Sequence, residues 1–203
     1  MARIRSIVEE VYQENKDEYR FTRIDSYAIH ELRMDVFDRI KEMETELGDE
    51  YDYVSAGIVE VLLEKMEVEE PPSLDVEDEG RTILFAFDRD ATVSVGTPPG
   101  PVPLEYVEHL AHSTHHEVYA TGNQMLRKEA EIPGVADIAE NTGNLRRISR
   151  RQGLKMVRNH VDADSYVVVD DVDVSDVGGY RYYSPEKFYV AMRDDIRKIL
   201  DKD

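Results

Sequence analysis

The chain contains no cysteine and no tryptophan among its 203 residues. Without cysteine, disulfides and thiolate metal sites are excluded. No run of about 18 apolar residues is present to cross a membrane, and the start carries no signal-peptide pattern. These absences lead to the expectation of a cytoplasmic protein without a membrane partner. Positive charge is also scarce. Lys and Arg total 25 against 44 Asp and Glu, a formal charge of −19. Such a charge repels nucleic acids and anionic membranes, so direct nucleic-acid binding is not expected.

The acids are scattered along predicted helices and not gathered in a tail, which argues against a disordered acidic arm. Arginine outnumbers lysine 17 to 8. We read this composition as a halophilic surface. At about 1 M salt a Debye length near 3 Å screens the self-repulsion that loosens such a fold in dilute buffer.

Helical periodicity dominates the first part of the chain. Ile4, Ile7, Val8, Val11 and Tyr12 define one amphipathic helix. Ile24, Tyr27, Ala28, Leu32, Val36, Phe37, Ile40, Met43 and Leu47 define a second, with Gly48 predicted to close it. The run VSAGIVEVLLEKM is apolar nearly all round and predicts a buried third helix. Residues 1–70 therefore form a helical N-terminal region: a packing unit, a homo-oligomerisation arm or a partner-binding module. Residues 71–81, with a Pro-Pro pair among acids, read as a linker.

From 82 to 203 the pattern alternates between strands and helices. Predicted strands are 82–88, EVYAT, SYVVVDD and the tyrosine-rich YRYY, where Tyr180, Tyr182 and Tyr183 alternate as on one buried face. Predicted helices are LEYVEHLAHS, NQMLRKEA, a basic helix over about 145–161, and a last one starting at Pro185. The expected fold is α/β, a doubly wound parallel sheet of Rossmann type.

The segment TILFAFDRDAT is the most informative. An apolar run ends in Asp88 and Asp90, with Thr92 two residues on. In extended geometry residues i and i+2 point the same way, so both carboxylates are expected to face one spot. Ligands of open α/β sheets bind beyond the carboxyl ends of the strands. Three other signals end or follow strands: Thr121 before Gly122 and Asn123; the basic cluster Arg146, Arg147, Arg150, Arg151 and Lys155; and Asp170 and Asp171, with Asp173 and Asp176 close behind. The plainer alternatives are an acidic loop and a charged helix face pairing with acidic surface. His112, His115 and His116 have zinc-like spacing but are expected at the other sheet edge, as surface or capping histidines.

This order of motifs resembles the haloacid dehalogenase-like (HAD-like) phosphohydrolases over roughly residues 82 to 190. Their Asp-x-Asp-x-Thr motif is matched by Asp88, Asp90 and Thr92, their strand-ending Thr by Thr121, and their acidic pair by Asp170 and Asp171. The resemblance implies a carboxylate nucleophile, Asp88, that forms an aspartyl-phosphate, and an acid–base group, Asp90. It implies Mg²⁺ held by Asp88, the carbonyl of Asp90 and Asp171, and a phosphate cradle of Thr121, Gly122 and Asn123. The basic third motif falls on Arg146 or Arg147, with Arg150 and Lys155 also within reach. Asp170, Asp176 and Lys155 would stand behind the ligands. Ala91 departs from the family's usual Gly. No cap domain fits between the motifs, so the implied site is open and its substrate a large phosphorylated molecule, unless the N-terminal helices or a second subunit form a lid. The alternative is a non-catalytic protein of the same fold that binds a partner through those helices.

Overall fold

The computed structural model describes residues 2–16, 19, 26–43, 47–65, 71–77, 80–121 and 149–201. Helix α1 spans Ala2–Asn15 and turns Ile4, Ile7, Val8 and Val11 inward, as their spacing dictates. Helix α2, Ser26–Glu42, does the same with Ile29, Leu32, Val36, Phe37 and Ile40. It ends earlier than the periodicity predicted. Gly48 does not close it: with φ of +55° it opens a short 3₁₀ turn, Gly48–Tyr53, a conformation that glycine adopts without a Cβ penalty. Helix α3, Val54–Lys65, is buried over most of its length. Gly57 permits this, because a Cβ there would lie 2.7 Å from the Ile4 side chain of α1.

Strands β1 (Ile83–Phe87), β2 (Glu117–Ala120), β3 (Ser165–Val169) and β4 (Arg181–Tyr183) form one sheet in the order β2-β1-β3-β4, with every pairing parallel. Helix α4 (Leu104–His112) lies between β1 and β2 in sequence, α5 (Arg150–His160) precedes β3, and α6 (Pro185–Leu200) follows β4. Phe85, Phe87, Val167 and Val169 share a core with α1 to α4 and α6. Leu84, Ala86 and Val168 face the other way, onto Leu154 and Val157 of α5 and onto Val174 and Val177. Helices therefore cover both faces, which is why β1 is an unbroken apolar run. The fold is α/β with a four-stranded, all-parallel sheet, compatible with a Rossmann-like arrangement. The direction of strand addition switches between β1 and β3, the place where open α/β sheets bind ligands beyond the carboxyl ends of their strands.

The N-terminal helices belong to the same continuous core as the sheet. Tyr189 of α6 donates to Glu60 of α3 at 2.9 Å, and the buried Arg33 of α2 pairs with Glu186 of α6 at 3.4 Å. Leu74 and Val76 of the linker pack against this core as well. His116 anchors that segment and is not a surface residue as expected. Its Nδ1 accepts from the Ile83 N–H at 3.2 Å and its Nε2–H donates to the Val76 carbonyl at 3.1 Å. With both nitrogens engaged in this way the ring is neutral, and burial lowers its pKa. Among the described residues no helix is long and apolar enough to cross a membrane.

Candidate functional site: a carboxylate cluster at the strand ends

Parallel pairing continues one residue past the strands. The Asp88 N–H donates to the Val169 carbonyl at 2.9 Å, Thr121 N–H to Phe87 at 2.9 Å, and Asp170 N–H to Tyr183 at 3.3 Å. Asp88, Thr121, Asp170 and Asp171 are thereby held at one edge of the sheet. Asp88 and Asp170 are 1% and 0% exposed, while the Asp171 side chain is 33% exposed and forms the rim. Carboxylate oxygens of these three acids lie within 4.8 Å of one another.

Arg150 sits among them. Its Nη2 lies 3.1 Å from Asp88 Oδ2, and its Nη1 bonds Asp170 Oδ1 and lies 3.1 Å from Asp171 Oδ1. Local sequence explains the placement. Ser149 caps α5 by accepting from the Gln152 N–H, and the Gln152 side chain accepts from the Ser149 N–H at 3.1 Å, a reciprocal capping box. The helix therefore begins at Arg150, not at the predicted 145, with Arg150 in its first turn. Arg146, Arg147, Gly122, Asn123 and the helix predicted at NQMLRKEA lie outside the described residues. Of the other basic residues, Arg151 turns outward to Asp176 at 2.9 Å and to the Asp173 carbonyl at 3.2 Å. Lys155 is exposed, and its charge acts on the exposed Asp176. Asp176 and Lys155 are thus not brought to the carboxylates, because the outer face of α5 carries both contacts.

The extended geometry expected to aim Asp88 and Asp90 at one spot ends between them. The i, i+2 rule holds only while the chain is extended, and the chain turns at Arg89. Its carbonyl accepts from the N–H groups of Thr92 at 3.3 Å and Val93 at 3.0 Å. Asp90 Oδ1 instead accepts from the Thr97 N–H at 2.9 Å and from Arg89 Nη1 at 2.6 Å. Asp170, not Asp90, completes the group with Asp88 and Asp171. Ala91 stands at φ 58°, in the left-handed region where a Cβ carries a penalty. The Gly/Pro loop then folds tightly back. A Cβ on Gly100 would lie 2.0 Å from the Thr92 backbone, so only glycine fits.

One guanidinium does not balance three acids. Burial raises the Asp88 pKa to about 6; Arg150 opposes the shift, and Asp171 and Asp90 add to it. Burial, and then the charge of Asp88, raise Asp170 to about 8 against the pull of Arg150. Asp170 Oδ2 is buried without a hydrogen bond, as are the hydroxyls of Thr92 and Thr121, while Asp88 Oδ2 has only its ion pair with Arg150 Nη2. A buried polar group left in this state costs about 1–3 kcal/mol, so a ligand that bonded these atoms would be favoured there. The acid group suits a hard cation with oxygen ligands.

Two site features differ from the sequence reading. Asp170, expected behind the ligands, stands in the cluster itself. Arg33 lies behind the site, paired with Glu186 and close enough for its charge to act on Asp171. Its signal was an arginine at an inward position of α2, between Ile29 and Val36.

In comparisons with known proteins the chain matches no protein-family model, no curated protein and no solved structure.

Proposed function

We propose that the chain is a Mg²⁺-dependent phosphohydrolase with a doubly wound, HAD-like fold, working through an aspartyl-phosphate on Asp88. The observation that carries this reading is the gathering of Asp88, Thr121, Asp170 and Asp171 at the ends of three adjacent parallel strands, around Arg150.

In this reading an Asp88 oxygen attacks phosphorus and the ester P–O bond breaks. Water then cleaves the acyl phosphate to regenerate the carboxylate. Asp90 protonates the leaving oxygen and later takes a proton from the water. In-line displacement puts nucleophile and leaving oxygen on opposite sides of phosphorus, so the acid need not sit among the carboxylates. The Thr97 N–H and Arg89 hold it in place. The unpartnered Thr121 hydroxyl donates to one phosphoryl oxygen and the Arg150 guanidinium to another. Asp88, Asp170 and Asp171, with the Asp90 carbonyl, would hold Mg²⁺, which supplies the positive charge that lets a carboxylate approach an anion.

Between Thr92 and Thr121 the chain is used up by a packed loop and α4, with no inserted layer. This supports a large phosphorylated substrate. The test is hydrolysis of a generic aryl phosphate with Mg²⁺ at molar KCl. Asp88→Asn should lose about 10³-fold or more in kcat while still melting cooperatively. Activity within a few-fold of the parent would remove Asp88 from the mechanism.

A further inference from the structure

We infer that Arg150 and a divalent cation exchange for the same carboxylate oxygens, so that cation binding releases the Arg150 guanidinium to receive a phosphoryl group. The inference rests on the metal-dependent reading above.

The geometry points to exchange in three ways. First, the Arg150 guanidinium touches all three acids at once, through Nη2 to Asp88 and Nη1 to Asp170 and Asp171. A cation bound by those acids draws on the same three carboxylates, and two positive centres held at contact distance repel each other. Second, the arginine is an incomplete partner. Asp170 Oδ2 and Arg150 Nε make no hydrogen bond, and Asp88 Oδ2 meets Arg150 Nη2 only as an ion pair. A cation that collects several oxygens at once satisfies this set better than a planar fork. Third, release of Arg150 asks for movement of the side chain alone. Its backbone is fixed in the first turn of α5 by the Ser149–Gln152 box, while its side chain is 15% exposed.

A guanidinium released at the rim presents parallel N–H donors that match a phosphoryl group. Cation and phosphate then favour each other's binding, and the coupling is reciprocal. The cation thus switches Arg150 from a clamp on the acids to a receptor for substrate.

The test is calorimetric titration of the full chain with Mg²⁺ alone, and with inorganic phosphate in the presence and absence of Mg²⁺, at constant ionic strength. Arg150→Gln should bind Mg²⁺ about tenfold more tightly than the parent, because the competitor is gone. The gain in phosphate affinity that Mg²⁺ brings should be smaller in the variant by a similar factor. Equal or weaker Mg²⁺ affinity in Arg150→Gln overturns the exchange while leaving the metal reading intact. Absence of Mg²⁺ binding in both proteins overturns both. If the glutamine variant does not fold, Arg150→Lys replaces it. A single ammonium cannot span three carboxylates, so Mg²⁺ must again bind more tightly than in the parent, and failure to do so has the same meaning.

Discussion

The Ser55 hydroxyl donates to the Pro99 carbonyl at 2.6 Å, tying the N-terminal helices to the loop that follows Asp88 and Asp90. Tyr53 bonds Glu105 at the start of α4, and Arg33 pairs with Glu186 at the start of α6. All three contacts meet the α/β layer where chain leaves the carboxyl edge of the sheet.

Deleting residues 1–75 should therefore destroy cooperative folding and not yield an active smaller domain. The deletion leaves Glu186 buried beside no arginine and bares the apolar face of α6, losses of several kcal/mol. Circular dichroism melting and dye binding check this. A truncated chain with a sharp melt would show the helices to be dispensable.

Ala91→Gly should stabilise the protein by about 1 kcal/mol, which is about 2–4 °C in Tm for a chain of this size. Alanine at φ 58° carries a Cβ penalty that glycine lacks, and the gain exceeds the added freedom of the unfolded chain. Ala91→Val should lower Tm. An unchanged or lower Tm for the glycine variant would contradict the left-handed turn.

The metal-free protein should become more stable as pH falls from 9 to 7. Asp170 titrates near 8 in the fold against about 3.8 unfolded, so the folded state binds the proton more tightly. Its contribution is greatest when protonated and is lost as pH rises through 8. The change is about 1 kcal/mol, read as Tm at fixed salt. Below about 6.5 the lowered pKa of His116 acts in the opposite sense, which sets the lower end of the window. Saturating Mg²⁺ should abolish the trend, since a cation favours ionised carboxylates and then neither state takes up a proton between pH 7 and 9.

Tm should climb from low to molar KCl, because a net charge of −19 repels itself when unscreened. A flat response would discard the halophilic reading of the surface.

The strands were legible because buried parallel strands are short apolar runs, as are 83–87 and the buried end of β3 at 167–169. Other features depend on contacts that spacing does not encode. The turn at Arg89 breaks the alternation on which the Asp88–Asp90 pairing relied. His116 is buried by Val76, forty residues away in the chain. The start of α5 was hidden because basic residues lie on both sides of Ser149, although Ser149-x-x-Gln152 is a legible capping signature. Arg150 stood out only once its helix had a first turn.

Phe85 lies between Val118 and Val167, so the strand that carries Asp88 waits for a partner some eighty residues further along. Such distant pairing is slow to form, because a long loop must close first. Until β3 docks, Asp88, Asp170 and Asp171 are apart and hydrated, and their mutual repulsion arises only in that step. Arg150 belongs to the α5–β3 segment that brings Asp170 and Asp171. The neutralising charge is therefore carried on the same stretch of chain as two of the acids that need it, 20 and 21 residues before them.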